Sequence, residues 1–410
     1  MADIAVLGHG VVGSGVLEVL MTHKESIARR ADVEIHVKHI LDLRDFPGLP
    51  YSHLFTKDFN VILNDPDVKI VVEVMGGLEP AFSYVKACLE NGKSVVTSNK
   101  ELVATKGAEL LAIAKKNNLN FLFEASVGGG VPIIRPISQC LAANEVGEIA
   151  GILNGTTNFI LTKMIREHMS FADALQLAQQ LGYAERDPSA DVEGADACRK
   201  ICILASLAYG THVYPREVHT EGITKITLED VAYAEAWGGV IKLIGQVKML
   251  ENGQIHIGVC PMFVSRESQL AGVDDVFNAV RVHGDMLGDV VFYGKGAGKL
   301  PTASAVVADV VDALKHGVQM HDSLFWQPAE PAEGMLTDPA PAAYYVRVEG
   351  AAPAVVEAIC GPGQLVAEHY DGCAYLIEQA DAAALEAAAR KIEAVGGSVK
   401  LVLRRLPADD

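Results

Sequence analysis

Near its start the chain passes from an apolar, strand-like run, Ile4–Leu7, into Gly8-His9-Gly10-Val11-Val12-Gly13, with Gly15 close behind and a helical pattern after it. Few sequence features constrain a fold so tightly. The first glycine allows the tight turn, the second lets backbone approach a pyrophosphate, and the third lets helix and strand touch. The helix that follows offers unpaired N–H groups to phosphate oxygens. Glycines of this spacing also occur in ordinary turns, so the surroundings decide. Here the loop heads an alternation of strands and helices. Ile4–Leu7, Val33–Leu41, Ile70–Val74, Ser94–Thr97 and Asn120–Val127 read as strands, with helices such as Ala81–Glu90 and Glu101–Lys116 between them. Nearly continuous apolar runs suit strands buried on both faces, and the alternation predicts an α/β fold with a doubly wound parallel sheet. Residues 1–130 are therefore expected to form a Rossmann-type dinucleotide-binding domain, contacting the cofactor through Gly8, Gly10, Val11, Val12 and Gly13.

Two further positions follow from that sheet. At the end of the second strand, Asp42 could accept hydrogen bonds from a ribose hydroxyl, as for NAD, and Arg44 could pair with the 2′-phosphate of NADP. A simple surface ion pair is the ordinary alternative, and the choice of nucleotide stays open. Ligands of such sheets bind beyond the carboxyl ends of strands, where Thr97, Ser98 and Lys100 stand. Lys100 could serve proton transfer or orient the nicotinamide and substrate; a solvated lysine at a strand end is the plainer reading.

Composition narrows the partners. The 410 residues allow two or three domains. With 34 Lys and Arg against 52 Asp and Glu, the formal charge of −18 repels nucleic-acid backbone and anionic membrane. No apolar run approaches the roughly 20 residues of a membrane span. The first residues lack the basic region and cleavage site of a signal peptide. Seven scattered cysteines suit a reducing cytoplasm. A cytoplasmic protein without nucleic-acid or membrane partners is the expectation.

Residues 131–300 change character. Helices over Phe171–Leu181, Ala195–Tyr209 and Leu228–Lys248, with strands near Ile255–Phe263 and Asp289–Phe292, predict a second, α+β domain for substrate and catalysis. A helix over 302–320 is expected to return to the first domain. Residues 328–341 carry four prolines and read as a linker. Beyond it, 342–410 suggests a small β-α-β-β-α-β unit, from Tyr344–Val348, Ala354–Cys360, Ala374–Glu378, Ala382–Val395 and Val399–Leu403.

The densest chemistry lies in the second domain. Glu185, Asp187, Asp191, Glu193 and Asp196 crowd a stretch interrupted by Pro188, and the helix that follows sets Asp196 beside Lys200, four positions on. Clustered carboxylates can bind the ammonium of an amino acid. A lysine among them can give a proton to a developing alkoxide. The ordinary alternatives are a solvated acidic loop and a surface ion pair. The spacing is not that of an EF-hand, and Cys198 and Cys202 read as core thiols. Glu124–Pro132 leaves the fifth strand through three glycines, which could aim carbonyls at a cation or admit a cofactor. Asn154–Asn158 opens a helix as a cap or, less simply, a substrate lip. Gly294–Gly298 is a second glycine loop at a helix start, offering Gly298 as a further cofactor contact. The absence of a Gly-x-Ser-x-Gly elbow, a Walker loop or a cysteine–histidine pairing argues against hydrolases, kinases and thiol-dependent aldehyde dehydrogenases.

Taken together, GHGVVGSG (Gly8–Gly15), TSNK (Thr97–Lys100), EASVGGGVP (Glu124–Pro132), LNGTTNF (Leu153–Phe159), LGYAERDPSADVEGADACRK (Leu181–Lys200) and GKGAG-x-x-PTASA (Gly294–Ala305) resemble homoserine dehydrogenase over about residues 3–320. The Gly182–Lys200 stretch is the most specific. The resemblance implies NAD(P)-dependent interconversion of L-homoserine and L-aspartate 4-semialdehyde, a step toward threonine, methionine and isoleucine. It implies Lys200 as proton donor and Lys100 as an assisting lysine beside the cofactor. Glu185 and Asp196, with Asp191 and Tyr183, would hold the substrate, and Gly182 would contact the cofactor. The Glu124 side chain and the backbone of Val127, Gly129 and Val131 would coordinate a monovalent cation, usually sodium. A homodimer or homotetramer, and a monofunctional chain without an attached aspartate kinase, are further implications. Two departures stand out. Leu41 occupies a position where relatives often carry arginine, which weakens the case for NADP. The tail resembles an ACT domain, yet its usual Asp-x-Pro-Gly turn reads Gly350-Ala351-Ala352-Pro353-Ala354, which argues against effector binding there. The competing readings are a metabolite sensor without chemistry and another NAD(P)-dependent reductase of aspartate-derived metabolites. Asp196 and Lys200 speak against the sensor, which needs no proton donor.

Overall fold

The computed structural model describes residues 1–315, 324–329, 342–369 and 372–407. In chain order the first elements are β1 (Ala2–Leu7), α1 (Val11–Thr22), α2 (Lys24–Ala31), β2 (Ile35–Leu41), β3 (Phe55–Thr56), α3 (Phe59–Leu63), β4 (Val68–Glu73), α4 (Ala81–Glu90), β5 (Ser94–Thr97), α5 (Lys100–Lys116) and β6 (Phe121–Leu122). Then come β7 (Val146–Ile152), α6 (Gly155–Glu167), α7 (Phe171–Gln180), α8 (Ser189–Val192), α9 (Ala195–Tyr209), β8 (His219–Thr220), α10 (Leu228–Trp237), β9 (Gly239–Met249), β10 (Ile255–Ser265), β11 (Phe277–Gly284), β12 (Gly288–Lys295) and α11 (Lys299–Lys315). The tail holds β13 (Ala342–Glu349), α12 (Pro353–Cys360), β14 (Gly363–His369), β15 (Gly372–Ala380), α13 (Ala382–Ala394) and β16 (Ser398–Arg405). Among the described residues no helix is long and apolar enough to cross a membrane.

Two units result. One takes Met1–Glu145, Arg199–Glu217 and Phe292–Glu330; the other takes Val146–Cys198, Val218–Val291 and Pro331–Asp410. These limits differ from the expected 1–130, 131–300 and 342–410. Two late segments return to the first unit, and the tail is grouped with the second. The linker expected over 328–341 lies, beyond residue 329, outside the described residues, as do residues 316–320 of the expected returning helix.

In the first unit all six strands run parallel in the order β3-β2-β1-β4-β5-β6. That order reverses between β1 and β4, which is where a doubly wound sheet binds nucleotides. Ile4, Val6, Ile70, Val72, Val95 and Val96 are wholly buried. Each such side chain contributes about 1.5–3 kcal/mol relative to exposure. Helix α11 lies on α1 at Gly15, where a Cβ would stand 2.8 Å from the Lys299 carbonyl oxygen. Helix α11, Lys299–Lys315, is grouped with the first unit.

In the second unit a mixed sheet runs β12-β11-β7-β9-β10-β16-β13-β15-β14, with β8 paired to β10. Two expectations need correction. The helix expected over Leu228–Lys248 ends at Trp237. Gly238 turns left-handed at φ +88°, and the β-branched and aliphatic run after it becomes β9, paired along its length with β10. The strand expected over Asn120–Val127 is only Phe121–Leu122, because Glu124–Ser126 coils into a short 3₁₀ turn. Strands β7 and β11 escape the apolar pattern because each carries a buried charge. Glu148 and Arg281 meet there at 2.9 Å.

The tail has the β-α-β-β-α-β order expected, with antiparallel strands in the order β16-β13-β15-β14, a ferredoxin-like arrangement. Val346, Val348, Val356, Tyr375, Ile377 and Ile392 form its core. It joins the larger sheet where β16 pairs with Met262 and Phe263 of β10. A second fastening is polar. Asp230 is fully buried, accepts a 3.1 Å hydrogen bond from the Tyr345 hydroxyl, and lies 3.2 Å from Arg347 Nε. Arg347 also pairs with Glu229. Removing one partner of a buried ion pair costs about 3–5 kcal/mol. Arg347→Met should therefore lower the unfolding free energy read from a urea titration by an amount of that order, with a lowered midpoint, and Tyr345→Phe should cost about 1 kcal/mol. A parental midpoint in Arg347→Met would show that Asp230 does not depend on it.

Candidate active site

The glycine loop has the crowding its sequence requires. A Cβ on Gly13 would lie 2.0 Å from the Gly8 carbonyl oxygen, so no other residue fits without moving the loop. Gly10 has open space where a Cβ would be, and it precedes α1 with no side chain capping the helix. Val11, the first helical residue, is exposed, and Val12 follows it. The end of β2 is tied directly to this loop. Asp42 accepts the His9 N–H at 2.9 Å, and Arg44 holds the same carboxylate through its own N–H and its guanidinium at 2.9–3.0 Å. These contacts hold the Asp42 carboxyl well below the usual range, the Arg44 side chain being the main cause. Arg44 also donates to the His9 carbonyl at 3.1 Å. The His9 ring is buried among Phe46, Tyr51 and Phe55, and burial lowers its basicity.

Glu73, at the carboxyl end of β4, was not singled out by sequence, although an acid closing an apolar strand is a visible signal. It is fully buried, and desolvation pushes its carboxyl upward. It accepts from the Met75 N–H at 2.7 Å and from the Thr97 hydroxyl at 2.6 Å. The Thr97 side chain, expected at the cofactor, is thus buried and serves Glu73. Ser98 donates its N–H to the Glu73 carbonyl at 3.3 Å. Asn99 caps α5 and reaches the Gly77 carbonyl at 2.6 Å. Lys100, the first residue of α5, is half-buried.

The expected cation turn is built differently from a simple ligand set. Glu124 is buried, and its carboxylate accepts the N–H groups of Ile133, Ile134 and Arg135 at 2.7–2.9 Å. Its own N–H donates to Asp309 of α11 at 2.9 Å, and Asp309 pairs with Arg135. Burial pushes the Asp309 carboxyl up to about 7, with Arg135 opposing the shift. Val127 and Val131 are buried beside these groups in sequence. Gly129 is left-handed at φ +56°, and a Cβ there would lie 2.3 Å from the Gly296 carbonyl oxygen. The turn after β6 and the late glycine loop, Gly294–Gly298, therefore press backbone against backbone. Gly298, at φ +125°, directly precedes α11.

In the second unit Asn154 ties the acid-rich segment together. Its Nδ2 donates to Asp191 at 2.7 Å and to Asp196 at 2.9 Å, while its Oδ1 caps α6 by accepting the Thr157 N–H at 2.8 Å. Asp196 is buried on α9, and Lys200, one turn further along the same helix, is buried too. The structure thus joins Asp191 to Asp196, and Lys200 follows on the part of α9 that is grouped with the first unit. Thr156 donates to the Tyr183 carbonyl at 2.6 Å, and the Tyr183 ring meets Phe159 edge-on at 5.1 Å. Glu185 and Gly182 are exposed; the Glu185 carbonyl accepts from Gln179 at 3.0 Å, and Gly182 closes α7. Asn154 and Thr156 are the residues that sequence reasoning undervalued, the first being read by default as a cap.

Comparison with known proteins agrees with these features. A family model described as homoserine dehydrogenase matches residues 132–311, and one described as homoserine dehydrogenase, NAD binding domain, matches residues 8–124. The homoserine dehydrogenase of Bacillus subtilis is 42% identical over 318 residues, covering 76% of this chain and 73% of that protein. That of Neisseria gonorrhoeae is 43% identical over 358 residues, covering 85% and 81%. The structure of a homoserine dehydrogenase from Thiobacillus denitrificans is similar over 99% of this chain and 98% of that one, with a TM-score of 0.90 at 38% identity. A hyperthermophilic archaeal homoserine dehydrogenase in complex with NADPH is similar over 78% and 99%, with a TM-score of 0.65 at 29% identity. Likeness of sequence and of fold runs along most of both chains, and the chain belongs to the homoserine dehydrogenases.

Proposed function

We propose that Lys200 is the proton donor, and Asp196 with Asp191 and Glu185 the ammonium anchor, in the reaction of this family. The chain is an NAD(P)-dependent oxidoreductase that interconverts L-homoserine and L-aspartate 4-semialdehyde. Bound NAD(P)H supplies a hydride to the aldehyde carbon. The carbonyl oxygen then becomes an alkoxide, and the Lys200 ammonium gives it a proton; in the reverse direction the neutral amine removes that proton. The observation that best supports this reading is the Asp191–Asp196 pair bridged by Asn154, with Lys200 one helical turn beyond Asp196 on α9. The readings for Lys100, as an assisting cation, and for Tyr183, as a wall of the substrate site, rest on their places at the head of α5 and in the loop held by Thr156. Gly8, Gly10, Val11, Val12, Gly13, Asp42, Arg44, Ser98, Gly182 and Gly298 would meet the nucleotide.

The backbone oxygens of Val127, Gly129 and Val131 would hold a monovalent cation such as sodium. Carbonyl donors fit a hard cation. Glu124 completes the set: its carboxylate accepts three N–H donors, which fixes the turn, and keeps acceptor capacity for the cation. A homodimer or homotetramer in the cytoplasm completes the reading.

The deciding assay follows the absorbance of reduced nucleotide with L-homoserine and either NAD⁺ or NADP⁺. A sensor would produce no signal, and a different reductase would respond only to another substrate. Lys200→Ala should cut kcat about 10²–10⁴-fold with nucleotide affinity kept. A near-parental kcat would remove it from the mechanism. Asp196→Asn and Glu185→Gln should each lower kcat/KM for homoserine about ten-fold or more, since a charge-assisted bond contributes roughly 1.5–3 kcal/mol. Unchanged kcat/KM in both would discard the anchor. At the start of α12 the chain reads Ala351-Ala352-Pro353-Ala354, with alanine at the positions where the ACT turn that the tail resembles would carry an acid and a glycine. L-threonine at millimolar concentration should therefore leave initial velocity nearly unchanged, and strong inhibition would assign the tail a sensing role.

A further inference from the structure

We infer that Asn154 is a positioning residue that holds Asp191 and Asp196 together as one ammonium-binding pair; this rests on the reading of Asp196 given above. The orientation of its amide is settled by chemistry. The Thr157 N–H can only donate, so the atom facing it at 2.8 Å is the oxygen, which also accepts the Thr157 hydroxyl at 3.0 Å. The NH₂ end then faces the two carboxyl groups and donates to each. Both amide hydrogens are thereby engaged, and the oxygen takes the Thr157 N–H and shares the Thr157 hydroxyl with the Asn154 carbonyl, 3.1 Å from that hydroxyl.

Residue type matters here. Two carboxylate oxygens bonded to one nitrogen are near enough to raise each other's proton affinity unless a donor lies between them. A neutral amide supplies that donor without cancelling the pair's charge. A lysine would neutralise the charge that attracts a substrate ammonium, and an aspartate would add a third anion. The same side chain caps α6, so the end of β7, the start of α6, α8 and α9 share one fixed point. The titratable groups on the segments that meet at Asn154 are Asp191 on α8 with Glu193 just after it, Asp196 on α9 with Lys200 four positions on, and Tyr183 and Glu185 on the preceding loop.

The sign of the pH effect follows. Hydrogen bonds to the charged form hold a carboxyl's pKa down. Without the amide the pair protonates at higher pH, and homoserine binding fails earlier as pH falls. The test compares Asn154→Ser, Asn154→Gly and Thr157→Val in the full chain. Serine keeps a helix-capping acceptor, and glycine costs a cap only a few tenths of a kcal/mol. Both Asn154 variants should raise KM for homoserine about ten-fold, leave KM for the nucleotide unchanged, and move the acid limb of kcat/KM up by about one pH unit. Thr157→Val loses only the hydroxyl on the capping side and should lower Tm without moving the limb. Parental KM and limb in both Asn154 variants, with Asp196→Asn impaired, would overturn the role of Asn154 alone. A parental Asp196→Asn would overturn the substrate reading and this inference with it.

Discussion

A buried carboxylate holds the nucleotide-binding unit closed. Asp309 comes from α11, far along the chain, and accepts the Glu124 N–H while pairing with Arg135. Glu124 in turn takes the N–H groups of Ile133, Ile134 and Arg135. Such a network is a poor source of net stability, because desolvating its charges offsets most of their attraction. Its effect is on arrangement: an α11 shifted along its axis would leave Arg135 and the Glu124 N–H buried without partners. With α11 so placed, Gly15 meets Lys299 and Ala303, and Gly129 meets Gly296. The glycine loop, the late glycine loop and the turn after β6 are thereby held in one unit.

The same economy recurs elsewhere in the molecule. Glu73 organises the strand ends of β4 and β5 through Met75 and Thr97, Asn154 organises the acidic segment, and Asp230 fastens the tail through Tyr345 and Arg347. In each case a short polar side chain at the end of a regular element satisfies backbone or side-chain donors that burial would otherwise leave unpaired. These residues arrange the groups around them, which is why a list of reactive residue types passes them over.

Much of the architecture was legible because its causes are local. The limits of α4, β5 and α9 follow from the sequence to the residue, and the first unit's strand order agrees with a loop that needs glycine at Gly13. Legibility failed where a local pattern was ambiguous or was overruled. The run after Gly238 is apolar enough for a buried helix and becomes a strand because β10 lies alongside it. The run from Asn120 loses its strand because the network around Glu124 draws the backbone away. Strands β7 and β11 are hidden by Glu148 and Arg281, whose charges cancel only once the strands are paired.

Sequence alone determined the doubly wound sheet, the nucleotide loop, the acidic segment with Lys200 behind it, and the family, because spacing along one strand or helix dictates which side chains share a turn or a face. Tertiary structure decided the rest. It grouped the tail with the second unit, turned the Thr97 hydroxyl inward onto Glu73, occupied the Glu124 carboxylate with three N–H donors, and made Asn154 the bridge between Asp191 and Asp196. Each of these depends on hydrogen bonds between residues remote in sequence, and a buried polar group's partner is chosen by what the folded chain brings within about 3 Å of it, which no local pattern records.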